Sequence, residues 1–307
     1  MSFIGIDAVT YGVGNMDTAR RFFTDWGLRC VSSGKTRTVF ETQAKCQVIL
    51  RPRGAAGLPK AIQRGNTLRE AVWGVTSKRH LTAIANELSR DREVTVAKDG
   101  TVRSTDPMGL GITFRRTRRK PVRLKRSPVN LPGAVERIDA RSTFYPKADP
   151  IRIGHMVFFV PDLKAMVDFY TGRLGFHLSD RYVGRGAFLR CAAEGNHHNL
   201  FLMQSPDGKA RLNHVAFEVR EIHEVFGGGL NITRHGWKTE IGPGRHPVSS
   251  AYFWYFKNPC GGAIEYFADE DFLTPKWKPR GIKVSPENFA EWALPDGIRR
   301  FGGDIKG

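Results

Sequence analysis

Three short stretches decide how this chain folds: Gly154-His-Met-Val-Phe-Phe159, Asn213-His-Val-Ala-Phe-Glu-Val219 and Ala263-Ile-Glu-Tyr-Phe267. Each is apolar and aromatic, as expected of a half-buried β-strand, and carries one metal-capable side chain: His155, His214 or Glu265. A shared cation would give all three buried groups a partner. Two imidazoles and one carboxylate form the facial set that leaves positions open on a non-haem Fe(II). The pattern therefore predicts an oxygen-activating metal site; the alternative is three unrelated polar residues satisfied by hydrogen bonds.

Length and composition indicate a globular protein with room for two domains, at 307 residues and 40% hydrophobic. The sequence contains no apolar run of about 18 residues and does not begin with a signal-peptide pattern. We therefore expect a cytoplasmic protein that does not enter a membrane. The four cysteines form no C-x-x-C pair and lie far apart, which argues against a disulfide framework or a zinc knuckle.

The net charge of +18 makes nucleic acid a partner to consider. Much of the excess lies in residues 115–126, where eight of twelve residues are basic. A run of this kind, broken by Pro121, is typical of an exposed linker, and no helix-turn-helix, zinc-finger or RNP-like pattern accompanies it. We do not expect nucleic-acid binding, although the charge could attract an anionic substrate.

The predicted elements repeat one order, strand, helix and further strands, four times along the chain. Helices are predicted over residues 17–26, 78–89, 162–174 and 222–233. The predicted fold class is α+β, with four β-α-β-β-β modules paired into two domains, each a cupped mixed sheet with helices outside. The predicted boundaries are 1–115 for the first domain, 116–150 for the basic linker, 151–270 for the second domain and 271–307 for a C-terminal extension.

Residues 151–270 resemble the catalytic half of the type I extradiol ring-cleaving dioxygenases of the vicinal oxygen chelate superfamily. The resemblance rests on five motifs in one order: Gly154-His-Met with Asp162-Leu and Phe169-Tyr; Asn196-His-His-Asn-Leu200; Leu212-Asn-His-Val-Ala-Phe-Glu218; Gly244-Arg-His246; and Tyr255-Phe-Lys-Asn-Pro-Cys-Gly-Gly-Ala-Ile-Glu265. Any one of these alone is weak, but their order and spacing are specific.

The resemblance implies that His155, His214 and Glu265 are the metal ligands. Strand parity supports this independently, because all three can point into one sheet face. The resemblance also implies that His198 is a second-sphere acid/base, a role that suits an imidazole. On strand parity we expect His198 to share a face with Leu200 and Leu202, with His197 at the strand edge; the alternative is that both histidines form a surface pair at a strand edge.

By the same resemblance, His246 and Tyr255 hold the bound diol and the oxygen-derived group. The alternative for Tyr255 is a core tyrosine with its hydroxyl tied to the backbone. The matching ligand positions of the first half, near Tyr11, Trp73 and residues 112–113, hold no metal-binding set. We therefore expect that half to be a metal-free scaffold without a polar cluster.

The resemblance implies an Fe(II)-dependent extradiol dioxygenase that opens a catechol-type ring with O2 in the degradation of aromatic compounds. Mn(II) is an open alternative to iron, and an anionic diol is among the candidate substrates. We also expect a homo-oligomer. Two rival functions stay open. One is another enzyme of the superfamily, glyoxalase-like or thiol-transferring, which would need a fourth protein ligand and no His198. The other is a non-catalytic protein that binds aromatic compounds.

Overall fold

Four modules of one element order follow one another in the computed structural model, which describes residues 1–294. The first half contains β1 (Phe3–Val13), α1 (Met16–Asp25), β2 (Arg29–Ser33), β3 (Thr38–Glu41), β4 (Gln47–Pro52), β5 (Thr67–Val75), α2 (Lys78–Leu88), β6 (Thr95–Val96), β7 (Val102–Thr105) and β8 (Gly111–Arg116). The second half contains β9 (Arg152–Val160), α3 (Leu163–Asp168) with a π-helical turn (Phe169–Arg173), β10 (His177–Tyr182), β11 (Gly186–Arg190), β12 (Gly195–Asn196), β13 (Leu200–Gln204), β14 (Arg211–Glu218), α4 (Ile222–Arg234), β15 (Thr239–Arg245), β16 (Tyr252–Lys257) and β17 (Ala263–Ala268). A C-terminal segment adds β18 (Phe272–Leu273), β19 (Arg280–Ile282), α5 (Pro286–Phe289) and β20 (Trp292–Ala293).

Each half forms one large mixed sheet. The strand order is β2-β3-β4-β1-β5-β8-β7-β6 in the first half and β19-β10-β11-β13-β9-β14-β17-β16-β15-β20 in the second. In both sheets the opening strands of the two modules pair antiparallel at the centre, β1 with β5 and β9 with β14. The predicted α+β class with four repeated modules is confirmed.

Side chains along the central strands point alternately to the two sides of each sheet. One side faces the helices, and we call the opposite side the inner face. Met156 and Phe158 of β9 join the main apolar core with helix residues such as Met166, whereas Val157 belongs to a separate small cluster. Because successive strand side chains point to opposite faces, His155 lies on the inner face with Val157.

The two halves share one apolar core. Trp26 of the first half stacks on Tyr266 of the second with ring centroids 3.6 Å apart, and the Tyr266 hydroxyl donates to the Trp26 carbonyl at 2.7 Å. Both rings are fully buried. Stacked aromatic pairs of this kind add to the energy of burial and hold the halves together.

The predicted helices agree with the observed ones within a few residues. The Asn15 side chain caps α1 by accepting a hydrogen bond from the backbone N–H of Thr18. Four strands of four or more residues were not predicted: β2, β7, β10 and β15. All five residues of β2 are exposed, so that strand lacks the apolar signal on which a sequence-based assignment depends.

Residues of the predicted linker and of the C-terminal extension belong to the two sheets. Arg115 lies within β8 and pairs with the buried Asp7 at 3.1 Å, so the exposed basic residues begin at Arg116, the last residue of that strand. The C-terminal segment adds β19 and β20 to the two edges of the second sheet. Residues 295–307 of the predicted extension lie outside the described residues. None of the helices in residues 1–294 combines the length and the apolar character that crossing a bilayer requires.

Candidate active site

Three strands of the second sheet bring His155, His214 and Glu265 together on its inner face. The β9–β14 and β14–β17 pairings set His155 and Glu265 in one row across the sheet, on either side of Ala216, with His214 in the next row. His155 Nε2 lies 3.0 Å from Glu265 Oε2, His214 Nε2 lies 3.2 Å from the same oxygen, and the two Nε2 atoms are 3.3 Å apart. Adjacent ligands of one ion at about 2.1 Å are about 3 Å apart, so this spacing suits a shared cation.

The protonation of the three groups also suits a cation. Burial lowers the pKa of His155 to about 4, with the neighbouring His198 acting in the same direction, and burial lowers the pKa of His214 as well. Burial alone would raise the pKa of Glu265, but the charges and hydrogen bonds of His155 and His214 hold it below the usual value for glutamate. At neutral pH the cluster therefore holds two neutral imidazoles and one carboxylate, the forms that bind metals.

One contact tests whether these residues fit a metal. His214 Nδ1 lies 2.6 Å from the Asn213 side-chain oxygen, which can only accept a hydrogen bond, so Nδ1 carries the proton. His214 Nε2 then presents a lone pair to the carboxylate oxygen of Glu265, 3.2 Å away. Two buried electron-rich atoms at this distance repel each other unless a cation lies between them. The donor set therefore fits a divalent metal, with Asn213 fixing the tautomer of one ligand.

His198 lies beside this cluster, although not for the predicted reason. Its ring centroid is 4.1 Å from that of His155. However, β13 begins only at Leu200, and Leu200 and Leu202 belong to the helix-facing core, so the strand-parity argument for His198 was wrong. The prediction that His197 sits at a strand edge was also wrong. His197 is fully buried in the turn before β13, with Nε2 2.9 Å from Asp180 Oδ2.

His246 and Tyr255 form a hydrogen-bonded pair on another side of the cluster. His246 Nε2 lies 3.0 Å from the Tyr255 hydroxyl and 3.8 Å from Glu265 Oε1. His246 Nδ1 lies 2.7 Å from the backbone carbonyl of Phe289, so Nδ1 donates and Nε2 can accept. Burial lowers the pKa of His246 to about 4 and raises the pKa of Tyr255 well above the usual value. The Tyr255 hydroxyl is therefore bonded to a site histidine and not to the backbone, and Tyr255 lies opposite Glu265 on the neighbouring strand.

The inner face of the first sheet carries a different set at the same register positions. The matching pairings place Ala8 where the second sheet has His155, Glu70 where it has His214 and Thr113 where it has Glu265. Tyr11 and Trp73, named from the sequence as matching positions, instead belong to the helix-facing core. The β1–β5 pairing contains register shifts, which the sequence pattern does not reveal.

The expectation that the first half lacks a polar cluster was wrong. Glu70 accepts hydrogen bonds from the hydroxyls of Thr113 at 2.6 Å and Thr10 at 3.1 Å. The groups of histidine, cysteine, aspartate and glutamate that could hold a metal among residues 1–294 both lie in the second half. They are His155, His214 and Glu265, and a second group of His155, His198 and Glu270.

Sequence reasoning missed Glu270 and Phe289, which contact His198 and His246, and it missed Asp180 and Arg280, of which Asp180 contacts His197 and Arg280 contacts Asp180. Asp180 lies on β10, which was not predicted, and the other three lie in or near a segment interpreted only as a packed extension. Nothing in the pattern Ala268-Asp-Glu-Asp271 distinguishes Glu270 from an exposed acidic residue.

Comparisons with known proteins find one matching family and several curated relatives. Residues 152–266 match the Glyoxalase/Bleomycin resistance protein/Dioxygenase superfamily. The chain is 33% identical over 181 residues to Metapyrocatechase 2 of Cupriavidus necator, covering 58% of this chain and 53% of that protein. The chain spans about half the length of the curated relatives it matches.

Solved structures share the fold over nearly the whole chain. The Mn(II)-bound glyoxalase from Novosphingobium aromaticivorans aligns with a TM-score of 0.78 at 23% identity, covering 98% of this chain and 94% of that one. BphC, a halotolerant catechol dioxygenase, aligns with a TM-score of 0.75 at 17% identity, covering 97% and 96%. Since these two structures carry different activities on one fold, the side chains of the site must distinguish between them.

Proposed function

The second half of this chain belongs to the glyoxalase/bleomycin resistance protein/dioxygenase superfamily and resembles its type I extradiol dioxygenases, and from this premise we propose that the protein is a metal-dependent extradiol dioxygenase. It would open a catechol-type ring with O2, with Fe(II) as the metal and Mn(II) as the alternative. The C–C bond beside the two hydroxyls breaks, and both atoms of O2 enter a ring-opened semialdehyde or related keto acid.

One observation carries this proposal: three ligand atoms of His155, His214 and Glu265 lie within 3.3 Å of one another, and proton-carrying side chains surround them. A three-ligand set leaves coordination positions free for a substrate with two adjacent oxygens. The presence of His198, which a glyoxalase-like rival would not need, favours ring cleavage over that rival.

The bound metal would supply Lewis acidity toward the two diol oxygens and electron transfer toward O2. The chain's own residues would handle protons and orientation. We assign His198 the role of accepting the proton of a diol hydroxyl and returning a proton later in the reaction. Tyr255, whose phenol stays protonated, would donate that proton to His246 Nε2, and the pair would hold the tyrosine oxygen beside the bound diol.

Apolar residues beside His198 suit the flat face of an aromatic substrate. Phe188 lies 5.2 Å from the His198 ring and stacks on Phe201 at 3.8 Å. Val157 and Val248 complete this buried cluster on the inner face. Arg280, a cation that reaches this region, is paired with Asp180. The cluster therefore favours a catechol with an apolar substituent over one with a carboxylate next to the ring.

We also propose that residues 1–115 serve as a scaffold that binds no metal. Glu70, at the register position of His214, has its oxygens engaged by Thr113 and Thr10. A lone carboxylate with two neutral hydroxyls lacks the nitrogen ligands that hold iron in the second sheet.

The test is oxygen consumption by protein reconstituted with Fe(II) or Mn(II) under anaerobic conditions. With catechol we expect uptake of one O2 per diol and a product heavier by two oxygen atoms; hydroquinone, whose hydroxyls are not adjacent, is the control. If the metal-bound protein binds catechol but consumes no O2, the non-catalytic binding protein replaces this proposal. If it instead isomerises a thiol adduct of an α-ketoaldehyde without O2 uptake, the glyoxalase-like rival does.

A further inference from the structure

Glu270 is a buried carboxylate that belongs neither to the proposed metal ligands nor to the residues assigned to ring cleavage. Its side chain is 1% exposed, and its Oε1 lies 2.9 Å from His198 Nδ1. Within residues 1–294 neither of its oxygens makes a hydrogen bond of good geometry, so the approach of Oε1 to His198 Nδ1 is a close polar contact. A carboxylate costs several kcal/mol to bury without a partner, so His198 is the group that accounts for its position.

A second carboxylate, that of Asp180, is connected to His198 through the ring of His197. Arg280 of β19 holds Asp180 through its Nη2 at 2.5 Å and its backbone N–H at 2.6 Å. Asp180 Oδ2 in turn lies 2.9 Å from His197 Nε2, and His197 Nδ1 lies 3.2 Å from His198 Nδ1. The side chains of both Asp180 and His197 are fully buried.

These contacts determine which nitrogen of His198 carries the proton. The pairing with Arg280 and His197 keeps the pKa of Asp180 below its usual value in spite of burial, so Asp180 accepts and His197 Nε2 donates. Burial lowers the pKa of His197, which is therefore neutral and presents a lone pair at Nδ1. His198 Nδ1 thus faces two acceptors, His197 Nδ1 and Glu270 Oε1, and must itself be the donor.

We propose that Glu270 is a positioning residue for ring cleavage: its carboxylate, in contact with His198 Nδ1, favours the proton on that nitrogen and so keeps Nε2 as the atom that exchanges protons with the substrate. The assignment rests on the proposed dioxygenase function. The physical logic is that of a carboxylate behind a general-base histidine, which fixes tautomer and ring orientation without itself reacting.

The direct test replaces Glu270 by Leu, which fills similar volume without an acceptor, and by Gln, which keeps an acceptor oxygen. We expect Glu270→Leu to lower kcat about 100-fold with little change in KM or metal content. We expect Glu270→Gln to recover most of kcat. Melting temperatures of both variants show whether each is folded before kinetics are compared.

The same replacement in a His198→Phe background separates positioning from a general structural effect. If Glu270 acts through His198, Glu270→Leu should change kcat of the His198→Phe protein less than twofold, because residues that act as a unit are not additive. An equal loss of kcat in both backgrounds would overturn the proposal. Loss of metal from Glu270→Leu would also overturn it, since Glu270 would then be a ligand together with His155 and His198.

A readout without activity keeps this proposal distinct from the proposed function. In ¹⁵N-histidine NMR of protein reconstituted with diamagnetic Zn²⁺, His198 should show the Nδ1–H tautomer. An Nε2–H tautomer would contradict the proposal even in an active enzyme. If the wild type cleaves no catechol but shows Nδ1–H, the proposed function fails and the Glu270 contact stands as a structural one. If the wild type is active and Glu270→Leu leaves kcat unchanged, only the role proposed for Glu270 fails.

Discussion

The two inner faces of this protein have the same strand pairing and opposite chemical character. Ala8, Glu70 and Thr113 on the first sheet stand where His155, His214 and Glu265 stand on the second. On the first face the carboxylate is satisfied by two threonine hydroxyls; on the second, two imidazoles and a carboxylate point at one another. The difference shows that the backbone supplies positions only, and that a few side chains at set register positions decide where a metal can bind.

The largest expected effect concerns His198. Its register counterpart in the first sheet is Cys46, because Leu200 pairs with Met156 as Val48 pairs with Val9. We expect His198→Phe to keep metal and catechol binding and to lower kcat by about two to four orders of magnitude, the usual range for losing a positioned acid/base. The measurement is kcat alongside metal content per chain.

Cys46→Ala is the matched control for that experiment. Cys46 is buried in the shared core, so its truncation should lower stability while leaving kcat of the folded protein within about twofold. A His198→Phe protein that turns over catechols at nearly the original rate would remove the distinction between the two positions and favour a binding protein.

A smaller effect on the pH dependence of stability concerns Asp106, which joins the two halves. Asp106 of the first half accepts from the Tyr170 hydroxyl of the second at 3.1 Å, and burial raises the pKa of Asp106 to about 7 despite its hydrogen bonds. The folded protein thus keeps this proton up to about pH 7, whereas the unfolded chain releases it near pH 4. Stability from this group is therefore greatest at low pH and is lost as the pH rises from about 4 to 7.

Asp106→Asn should remove that pH dependence. Between pH 5 and pH 8 the free energy of unfolding of the wild type should fall by about 3 kcal/mol relative to the variant. Urea unfolding at both pH values, followed by fluorescence and circular dichroism, measures the difference. A difference that does not change with pH, or separate transitions for the two halves, would contradict the shared core.

The smallest expected effect concerns the exposed basic segment after Arg116. Charges there are screened over about 8 Å at physiological ionic strength, so they would affect association more than binding strength. For a carboxylated catechol we expect kcat/KM to fall about threefold as the salt concentration is raised. For neutral catechol we expect kcat/KM to stay constant. Replacing the exposed Arg118, Arg123 and Lys125 by Gln should abolish the salt dependence. Equal salt dependence for both substrates would exclude steering.

Local sequence signals predicted the four modules and the residues that meet on the second inner face. Apolar strands that each carry one metal-capable residue can be recognised from the sequence alone. The register of the first face could not be predicted from the sequence: the matching positions are Ala8 and Glu70, not Tyr11 and Trp73, and both central strand pairs contain register shifts that no local pattern reveals. His198 reached the site from a turn, outside the strand on which its prediction relied.

The residues that support the site were beyond sequence reasoning for another reason. Glu270 and Arg280 reach His198 and Asp180 from about 70 to 100 positions away, and no local pattern encodes a contact at that separation. Phe289 contributes a backbone carbonyl, which is independent of side-chain identity. Long-range polar contacts of this kind become visible only when the C-terminal segment is placed against the second sheet.

Metal content of two matched variants tests the central claim most directly. Wild-type protein reconstituted with Fe(II) should hold one metal per chain, measured by elemental analysis after removal of unbound ions. His214→Ala should lose most of that metal, since two remaining ligands provide neither affinity nor geometry. Glu70→Ala, at the same register position of the first sheet, should keep all of it. Full metal occupancy in His214→Ala, or loss of the metal in Glu70→Ala alone, would contradict the assignment of the metal site to the second inner face.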